Sequence, residues 1–198
     1  MKFLAVAAVA AFGFTATAEA ATFAVTGGDA FWLPSNFGTG VPSGDLAPGV
    51  QIQRNAALAL DKAGKVTFTY FGTEADYHNK FSIDGMTGFD NKAAANDSFS
   101  LKLDAGAVPF SFSTANPAGT VANGASRGFY QSIALFQKSP STVFALFNDS
   151  ATSDTDYDDL VVRMDVAPVP LPAAAWLLLG GLGGLGAVAR RKSAAKAA

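Results

Sequence analysis

A run of carboxylates near the end of the chain is the feature whose residue types and spacing point most directly to a chemistry. Four of the six positions 154–159, here called the acidic box, are aspartates, and Asp149 lies just upstream. Carboxylates this close repel one another, whereas oxygen donors at alternate positions suit Ca²⁺, which takes about six to eight oxygens in flexible geometry. We therefore predict a calcium site that contains the aspartates of the acidic box, Asp154, Asp156, Asp158 and Asp159.

The acidic box matches only the first half of an EF-hand loop. Its aspartates fall at the first, third and fifth positions and Asp165 falls at the twelfth, but Asp159 stands where the sharp turn of an EF-hand requires glycine. The residues after it have the pattern of a strand, so we expect a calcium-bound turn instead of an EF-hand. The alternative is a solvated acidic hairpin that protects the edge of a sheet from aggregation.

A second group of oxygen donors, Glu74, Asp76 and Asn79, follows the strand predicted at 65–71. A catalytic role for this segment has little support. His78 is the only histidine, no Gly-x-Ser-x-Gly motif accompanies it, and the chain has no cysteine, so neither a serine triad nor the usual catalytic zinc shells are indicated. Two carboxylates at a suitable separation would serve a glycan hydrolase, but spacing in sequence does not establish that separation.

Alternating apolar and polar residues predict an all-β domain between the two ends of the chain. Fourteen phenylalanines provide its core. The segment 55–62 is compatible with a helix or a strand, and 34–49 has the composition of an irregular surface loop. Because strands and helices do not alternate, the pattern favours a single β-sandwich, jelly-roll-like domain at 21–166. The clearest strands are predicted at 65–71, 98–103, 108–113, 130–137, 141–148 and 160–166.

The composition separates this domain from the ends of the chain. Residues 21–168 contain nine lysines and arginines against fifteen aspartates and glutamates, and the two ends are much richer in apolar residues. This acidic balance excludes a basic nucleic-acid-binding domain. Because the chain has no cysteine, a domain of this size must rely on its core or on a bound cation instead of disulfides.

The first twenty residues have the pattern of an export signal. Lys2 supplies a short positive region, an apolar run extends over 3–14, and Ala18 and Ala20 fit the small-x-small rule for cleavage. We therefore expect export by the general secretion route and a mature chain that begins at Ala21.

The last thirty residues have the pattern of a membrane stop signal. Three prolines between 168 and 172 predict an extended linker, and the residues 173–189 carry no charge. A helix of that length spans roughly 26 Å, close to the lower limit for the hydrocarbon core. The basic residues that follow, Arg190, Arg191 and Lys192, place the tail on the cytoplasmic side, so the domain is expected outside the inner membrane.

The order of these features resembles the PEP-CTERM sorting signal in its VPLPA form. The resemblance covers about the last 30 residues and rests on the Gly-rich span, the basic tail and the sorting motif Val169, Pro170, Leu171, Pro172 and Ala173. It implies a Gram-negative exported protein that is held transiently in the inner membrane and recognised at this motif by an exosortase-type processing enzyme. It further implies a final place at the cell surface or outside the cell, with exopolysaccharide of the biofilm matrix as a partner.

A second resemblance concerns the domain. A Gly-x-Glu-Ala-x-x-x-Asn-x-Phe segment begins at Gly72, and an Asp-x-Asp-Tyr-Asp-Asp-Leu-Val-Val-Arg segment begins at Asp154. Both are similar to segments of a recurrent exported domain that often precedes this type of tail. The resemblance implies that the two segments approach each other and share one cation, with Glu74 and Asn79 completing the shell of the acidic box. It transfers no catalytic activity.

The leading expectation is therefore a non-enzymatic envelope or matrix protein with a calcium-stabilised β-sandwich. The alternative from a different class is a polysaccharide-binding module that grips matrix glycan through exposed aromatic side chains, for which Trp32, Tyr77 and Tyr157 are the candidates. Exposure of these rings would favour the module, and burial of all three would count against it. The third alternative is a glycan hydrolase, which needs two carboxylates facing each other across a cleft.

Overall fold

A computed structural model of the chain describes residues 20–38, 41–42, 44–75, 77–128, 131–150, 155–168 and 181. Contacts divide the chain into two units. Ala20–Val169 is one unit, and the other, Met1–Glu19 with Pro170–Ala198, is described only at Gly181. The predicted export signal before Ala20, the sorting motif and the basic tail therefore lie outside the described residues. Within the described part of the chain, no helix has the length and hydropathy that crossing a membrane requires.

The described residues of Ala20–Val169 form fourteen β-strands, so the prediction of an all-β domain is confirmed. The strands are β1 (Phe23–Thr26), β2 (Asp29–Trp32), β3 (Gln51–Arg54), β4 (Ala57–Leu60), β5 (Gly64–Gly72), β6 (Asn79–Ile83), β7 (Met86–Asp90), β8 (Ser98–Leu103), β9 (Gly106–Ala107), β10 (Phe110–Ala115), β11 (Ala118–Ala122), β12 (Ser132–Ser139), β13 (Thr142–Asn148) and β14 (Leu160–Pro168). The six strands predicted most clearly correspond to β5, β8, β10, β12, β13 and β14. The ambiguous segment 55–62 contains β4 and is therefore a strand.

The strands pair into three antiparallel sheets. The largest has the order β2-β3-β12-β13-β14-β5-β8, the second has β11-β10-β6-β7, and the smallest has β1-β4-β9. One face of the seven-stranded sheet shares the main hydrophobic core with both smaller sheets. β13 lies in the middle of the seven-stranded sheet and is buried along its whole length, because both of its faces are covered.

Phenylalanine rings fill the main core between the sheets. Phe81 of β6 contacts four other phenylalanine rings at centroid distances between 5.3 and 6.2 Å. Phe112 of β10 stacks on Phe147 of the seven-stranded sheet at 5.1 Å. Each such ring buries about 150–250 Å², so aromatic packing joins the sheets without any disulfide.

The loop between β2 and β3 carries a second hydrophobic cluster on the other face of the seven-stranded sheet. Its side chains Leu33, Phe37, Val41 and Leu46 are all buried and pack against residues of β3, β12, β13 and β14. The described residues of this loop are irregular, as predicted, but the loop is more than a surface connection because it covers an apolar face. Leu33, Phe37 and Val41 are four residues apart, as on one face of a helix, but the prolines and glycines among them indicate irregular structure, so the spacing does not predict that the loop covers a sheet.

Asn123 joins the segments around β4 and β9 by three hydrogen bonds. Its Oδ1 accepts from the Leu58 amide at 2.8 Å, and its Nδ2 donates to the carbonyls of Leu58 and Val108 at 2.7 and 2.9 Å. Because Asn123→Ala removes this partner from part-buried backbone groups, we expect a loss of about 2 kcal/mol in the free energy of unfolding, measured by urea titration. Thr120→Ala, at an exposed position of β11, should cost less than about 0.5 kcal/mol; an equal loss in both variants would contradict the role of Asn123.

Candidate functional site

Three carboxylates from two distant segments meet where β5 ends and β14 begins. Glu74 follows β5, and Asp156 and Asp158 precede β14. Because β5 and β14 are antiparallel neighbours, the end of one strand lies beside the start of the other. One carboxylate oxygen of each residue lies within 4.8 Å of the other two. We call these three residues the carboxylate cluster; the two segments that were expected to approach each other are adjacent.

Hydrogen bonds hold the two segments in register. The Glu74 amide donates to the Asp158 carbonyl at 3.0 Å, and Thr73 Oγ1 donates to the Asp159 carbonyl at 2.5 Å. The register between β5 and β14 shifts close to this contact, because Val161 pairs with Gly72 and Val162 with Tyr70, which leaves Phe71 of β5 as the extra residue. Such a bulge bends the strand that carries it, so it changes the course of β5 just before Glu74.

The loop between β2 and β3 fixes the orientation of both aspartates. Asn36 Nδ2 donates to Asp156 Oδ2 at 2.8 Å, and the Gly38 amide donates to Asp158 Oδ2 at 2.8 Å. Gly38 has a φ of 106°, a conformation that glycine adopts at little cost. Neither residue is predictable from the sequence, because each lies 120 positions from its partner and belongs to no motif.

Tyr157 anchors the acidic box to the second hydrophobic cluster. Its side chain is fully buried, its ring lies 5.7 Å from that of Phe31, and its hydroxyl is hydrogen-bonded to Ser132 Oγ at 2.7 Å. Burial raises the pKa of the Tyr157 phenol above its ordinary value. The residue between the two cluster aspartates therefore ties their backbone to the packed interior.

The remaining predicted ligands do not all join the carboxylate cluster. Asp159 Oδ2 accepts from the Asp149 amide at 2.7 Å. Asn79 is fully buried, and its Nδ2 donates to Asp149 Oδ2 and, at 3.3 Å, to the Asp159 carbonyl. Its Oδ1 has no hydrogen-bond partner among the described residues. Asp159 and Asn79 thus form a neighbouring network centred on Asp149, and Asp154 and Asp76 lie outside the described residues.

Burial of the described aspartates of the acidic box contradicts the alternative of a solvated hairpin. Asp156, Asp158 and Asp159 are at most 5% exposed, and β14 lies inside the seven-stranded sheet instead of at its edge. Buried carboxylates need hydrogen bonds, a cation or both to offset their lost hydration. The same burial shields Asp156 and Asp158 from a glycan substrate, which a hydrolase would have to reach.

Two other residues considered in the sequence have structural partners elsewhere. His78 is exposed, and its Nε2 lies 3.4 Å from Asp90 Oδ2. The pKa of Asp90 is lowered mainly by the hydrogen bond from the Lys92 amide and less by His78. Asp165 forms an ion pair with Arg163 at 2.9 Å along β14, so it does not close an EF-hand loop.

The three aromatic candidates for glycan binding differ in exposure. Trp32 is 61% exposed and Tyr77 is 40% exposed, whereas Tyr157 is fully buried. Tyr157 is therefore excluded as a platform for a sugar ring. The exposed rings belong to different parts of the fold, since Trp32 ends β2 and Tyr77 lies between β5 and β6.

The geometry of the carboxylate cluster fits a calcium ion. Ca²⁺ binds oxygen at about 2.3–2.6 Å, so two of its ligand oxygens can be at most about 5 Å apart, and the cluster meets that limit. Its donors are all carboxylate oxygens, which suit a hard cation. Comparison of the chain with protein-family models, curated proteins and solved structures finds no match. The chemistry of the site is therefore inferred from its own residues.

Proposed function

We propose that this chain is a non-enzymatic exported protein of the cell envelope or extracellular matrix. One Ca²⁺, bound by Glu74, Asp156 and Asp158, stabilises its domain, which we take to be a β-sandwich of the jelly-roll type. The observation that carries the proposal is the approach of three carboxylate oxygens to within 4.8 Å. Two of these residues are buried and also bound to the loop between β2 and β3.

The ion acts by joining three parts of the chain. Glu74 belongs to the segment after β5, and Asp156 and Asp158 belong to the segment before β14. Both aspartates also hold the loop between β2 and β3, since Asp156 Oδ2 accepts from Asn36 and Asp158 Oδ2 accepts from the Gly38 amide. A cation at the cluster replaces repulsion between carboxylates with attraction. Because only the folded chain brings the three ligands together, the binding free energy adds to the stability of the fold.

The proposed location rests on the two ends of the sequence. The export signal at 1–20 directs the chain across the inner membrane, and the uncharged span at 173–189 holds it there. An exosortase-type enzyme then acts at the sorting motif Val169–Ala173 and releases the domain to the surface or the matrix.

Calcium is expected to raise the melting temperature of the purified protein. A ligand at 100 times its Kd adds about 2.7 kcal/mol, which corresponds to about 5–10 °C for a domain of this size. Thermal unfolding followed by circular dichroism with Ca²⁺, with Mg²⁺ and with a chelator measures the effect. Mg²⁺ should give a smaller shift because it demands near-octahedral geometry and retains its waters. Equal melting temperatures with Ca²⁺ and with chelator would contradict the proposal.

Two variants locate the ion. Asp158→Asn keeps the size of the side chain and an oxygen that can accept from the Gly38 amide, but it removes one charge from the cluster. It should abolish most of the calcium-dependent shift. Asp104→Asn removes a charge at an exposed position and should retain the full shift. A full shift in Asp158→Asn would place the ion elsewhere.

A further inference from the structure

β2 and β3 form one edge of the seven-stranded sheet. One face of this sheet packs on the main core, but at this edge the same face carries polar and solvent-accessible side chains. Trp32 is the register partner of Gln51, and Gln53 is the partner of Leu135, a residue of the main core. Register partners point to the same side of a sheet, as do residues two positions apart on one strand. Trp32, Gln51 and Gln53 therefore share the core-side face, yet Trp32 is 61% exposed there.

The opposite face of the same strands holds this edge in place. Phe31 and Ile52 alternate with Trp32 and Gln51, and they pack in the second hydrophobic cluster. The Arg54 guanidinium lies 4.7 Å from the centre of the Phe31 ring. Contacts on the opposite face of the sheet thus hold the backbone of Trp32. The exposed indole therefore extends from a fixed strand instead of a loop.

A cleft of about 300 Å³ lies beside β3. Its lining includes Val25 of β1, Gly27 just after β1, and the glutamines Gln51, Gln53 and Gln137. Trp32 of the neighbouring strand β2 is not among these lining residues, but its register partner Gln51 is. Gln137 is fixed by a hydrogen bond from its Nε2 to a carbonyl of β1 at 2.7 Å. Among the described residues, the seven that line the cleft carry no charge.

These side chains match the chemistry of a sugar. An indole offers a large rigid apolar face with a polar N–H at its edge, which suits the C–H face of a pyranose ring. Glutamine amides both donate and accept hydrogen bonds, as sugar hydroxyls do. An uncharged cleft favours neutral sugars over uronic acids, whose carboxylates would find no cationic partner among the lining residues.

We infer that this cleft and the neighbouring Trp32 together bind an uncharged polysaccharide, with one sugar ring against the indole and sugar hydroxyls bonded to Gln51 and Gln53. This site is distinct from the carboxylate cluster and shares no residue with it. It also differs from the aromatic set expected from the sequence, because Tyr157 is buried and Tyr77 lies between β5 and β6, away from the edge formed by β2 and β3. The two proposals can therefore fail separately.

Affinity electrophoresis of the purified full-length protein tests the inference. The probes are dextran, a linear β-1,3-glucan and galactomannan, with alginate as the anionic comparison. We expect retardation by at least one neutral polysaccharide and little or none by alginate. Absence of retardation by all three neutral polymers, or stronger retardation by alginate, would overturn the inference.

Variants then assign the binding to the cleft. Trp32→Ala should weaken retention about tenfold or more, as loss of a central aromatic contact does, and Gln51→Leu should weaken it with the indole intact. Tyr77→Ala removes another exposed ring outside the cleft and should bind as the unchanged protein does. Melting temperatures of all variants establish that they fold. Retention of full binding by Trp32→Ala and Gln51→Leu would show that the glycan binds elsewhere.

Discussion

Tyr157→Ala is expected to lower the free energy of unfolding by about 3–5 kcal/mol, the usual cost of truncating a buried aromatic side chain to alanine. The residue is fully buried between the acidic box and the second hydrophobic cluster. Its ring packs near that of Phe31, and its hydroxyl is bonded to Ser132. Truncation leaves a cavity under the loop between β2 and β3, and it loosens the backbone that carries Asp156 and Asp158.

Chemical denaturation of the purified protein measures this loss. Tyr157→Phe removes the hydroxyl, which is hydrogen-bonded to Ser132 and also interacts with Arg54, and should cost about 1–2 kcal/mol. Tyr77→Ala, at a partly exposed ring, should cost less than about 0.5 kcal/mol. The calcium-dependent shift in melting temperature should also shrink in Tyr157→Ala. A loss in Tyr157→Ala no larger than that in Tyr77→Ala would contradict the anchoring role.

Replacement of the sorting motif Val169–Ala173 by a flexible Gly-Ser linker of equal length should abolish C-terminal processing in the native host. Its prolines restrict the backbone to an extended form that an enzyme can bind with little loss of entropy, and a Gly-Ser linker lacks that restriction. The expected result is a membrane-bound precursor with no released domain, detected by immunoblotting of membrane and medium fractions.

A matched replacement controls for the change in sequence. Substitution of residues 193–197, which follow the basic residues, should leave processing intact because the motif, the span and the three adjacent positive charges remain. If the motif variant matures and leaves the cell as the unchanged protein does, the proposed sorting role is wrong. That outcome would leave the calcium proposal untouched, since the carboxylate cluster lies entirely in the domain.

The strands were predictable where apolar and polar residues alternate without interruption. In β8, Phe99, Leu101 and Leu103 are partly buried and pack against the main core, as their spacing predicts. In β14, Val162 and Met164 face the main core, while Val161 faces the second cluster. Alternation in the sequence predicts alternation in burial, because successive side chains of a strand point to opposite faces of its sheet. The segment of β4 was ambiguous because its Ala and Leu residues suit both kinds of element.

The candidate site was predictable only in part because its residues depend on tertiary pairing. Glu74, Asp156 and Asp158 were among the expected ligands, and the pairing of β5 with β14 brings them together. Asn79 was expected in the same shell; its Nδ2 donates to Asp149 and to the Asp159 carbonyl, and its Oδ1 has no hydrogen-bond partner among the described residues. The hydrogen bonds from Asn36 and Gly38 to the aspartates could not be predicted, because each joins residues 120 positions apart and local sequence patterns do not indicate such pairs.

The place of β14 in the sheet order also governs when the domain can be completed. β14, the last strand of the described residues, lies between β13 and β5, so without it the seven-stranded sheet consists of two separate pieces, β2-β3-β12-β13 and β5-β8. Pairing of distant strands is slow, and open strand edges invite association with other chains. A newly made chain therefore keeps two unpaired edges until Leu160–Pro168 emerges. The two pieces can join only when the segment directly before the sorting motif is available. A chain that stalls before residue 160 lacks the strand that joins them.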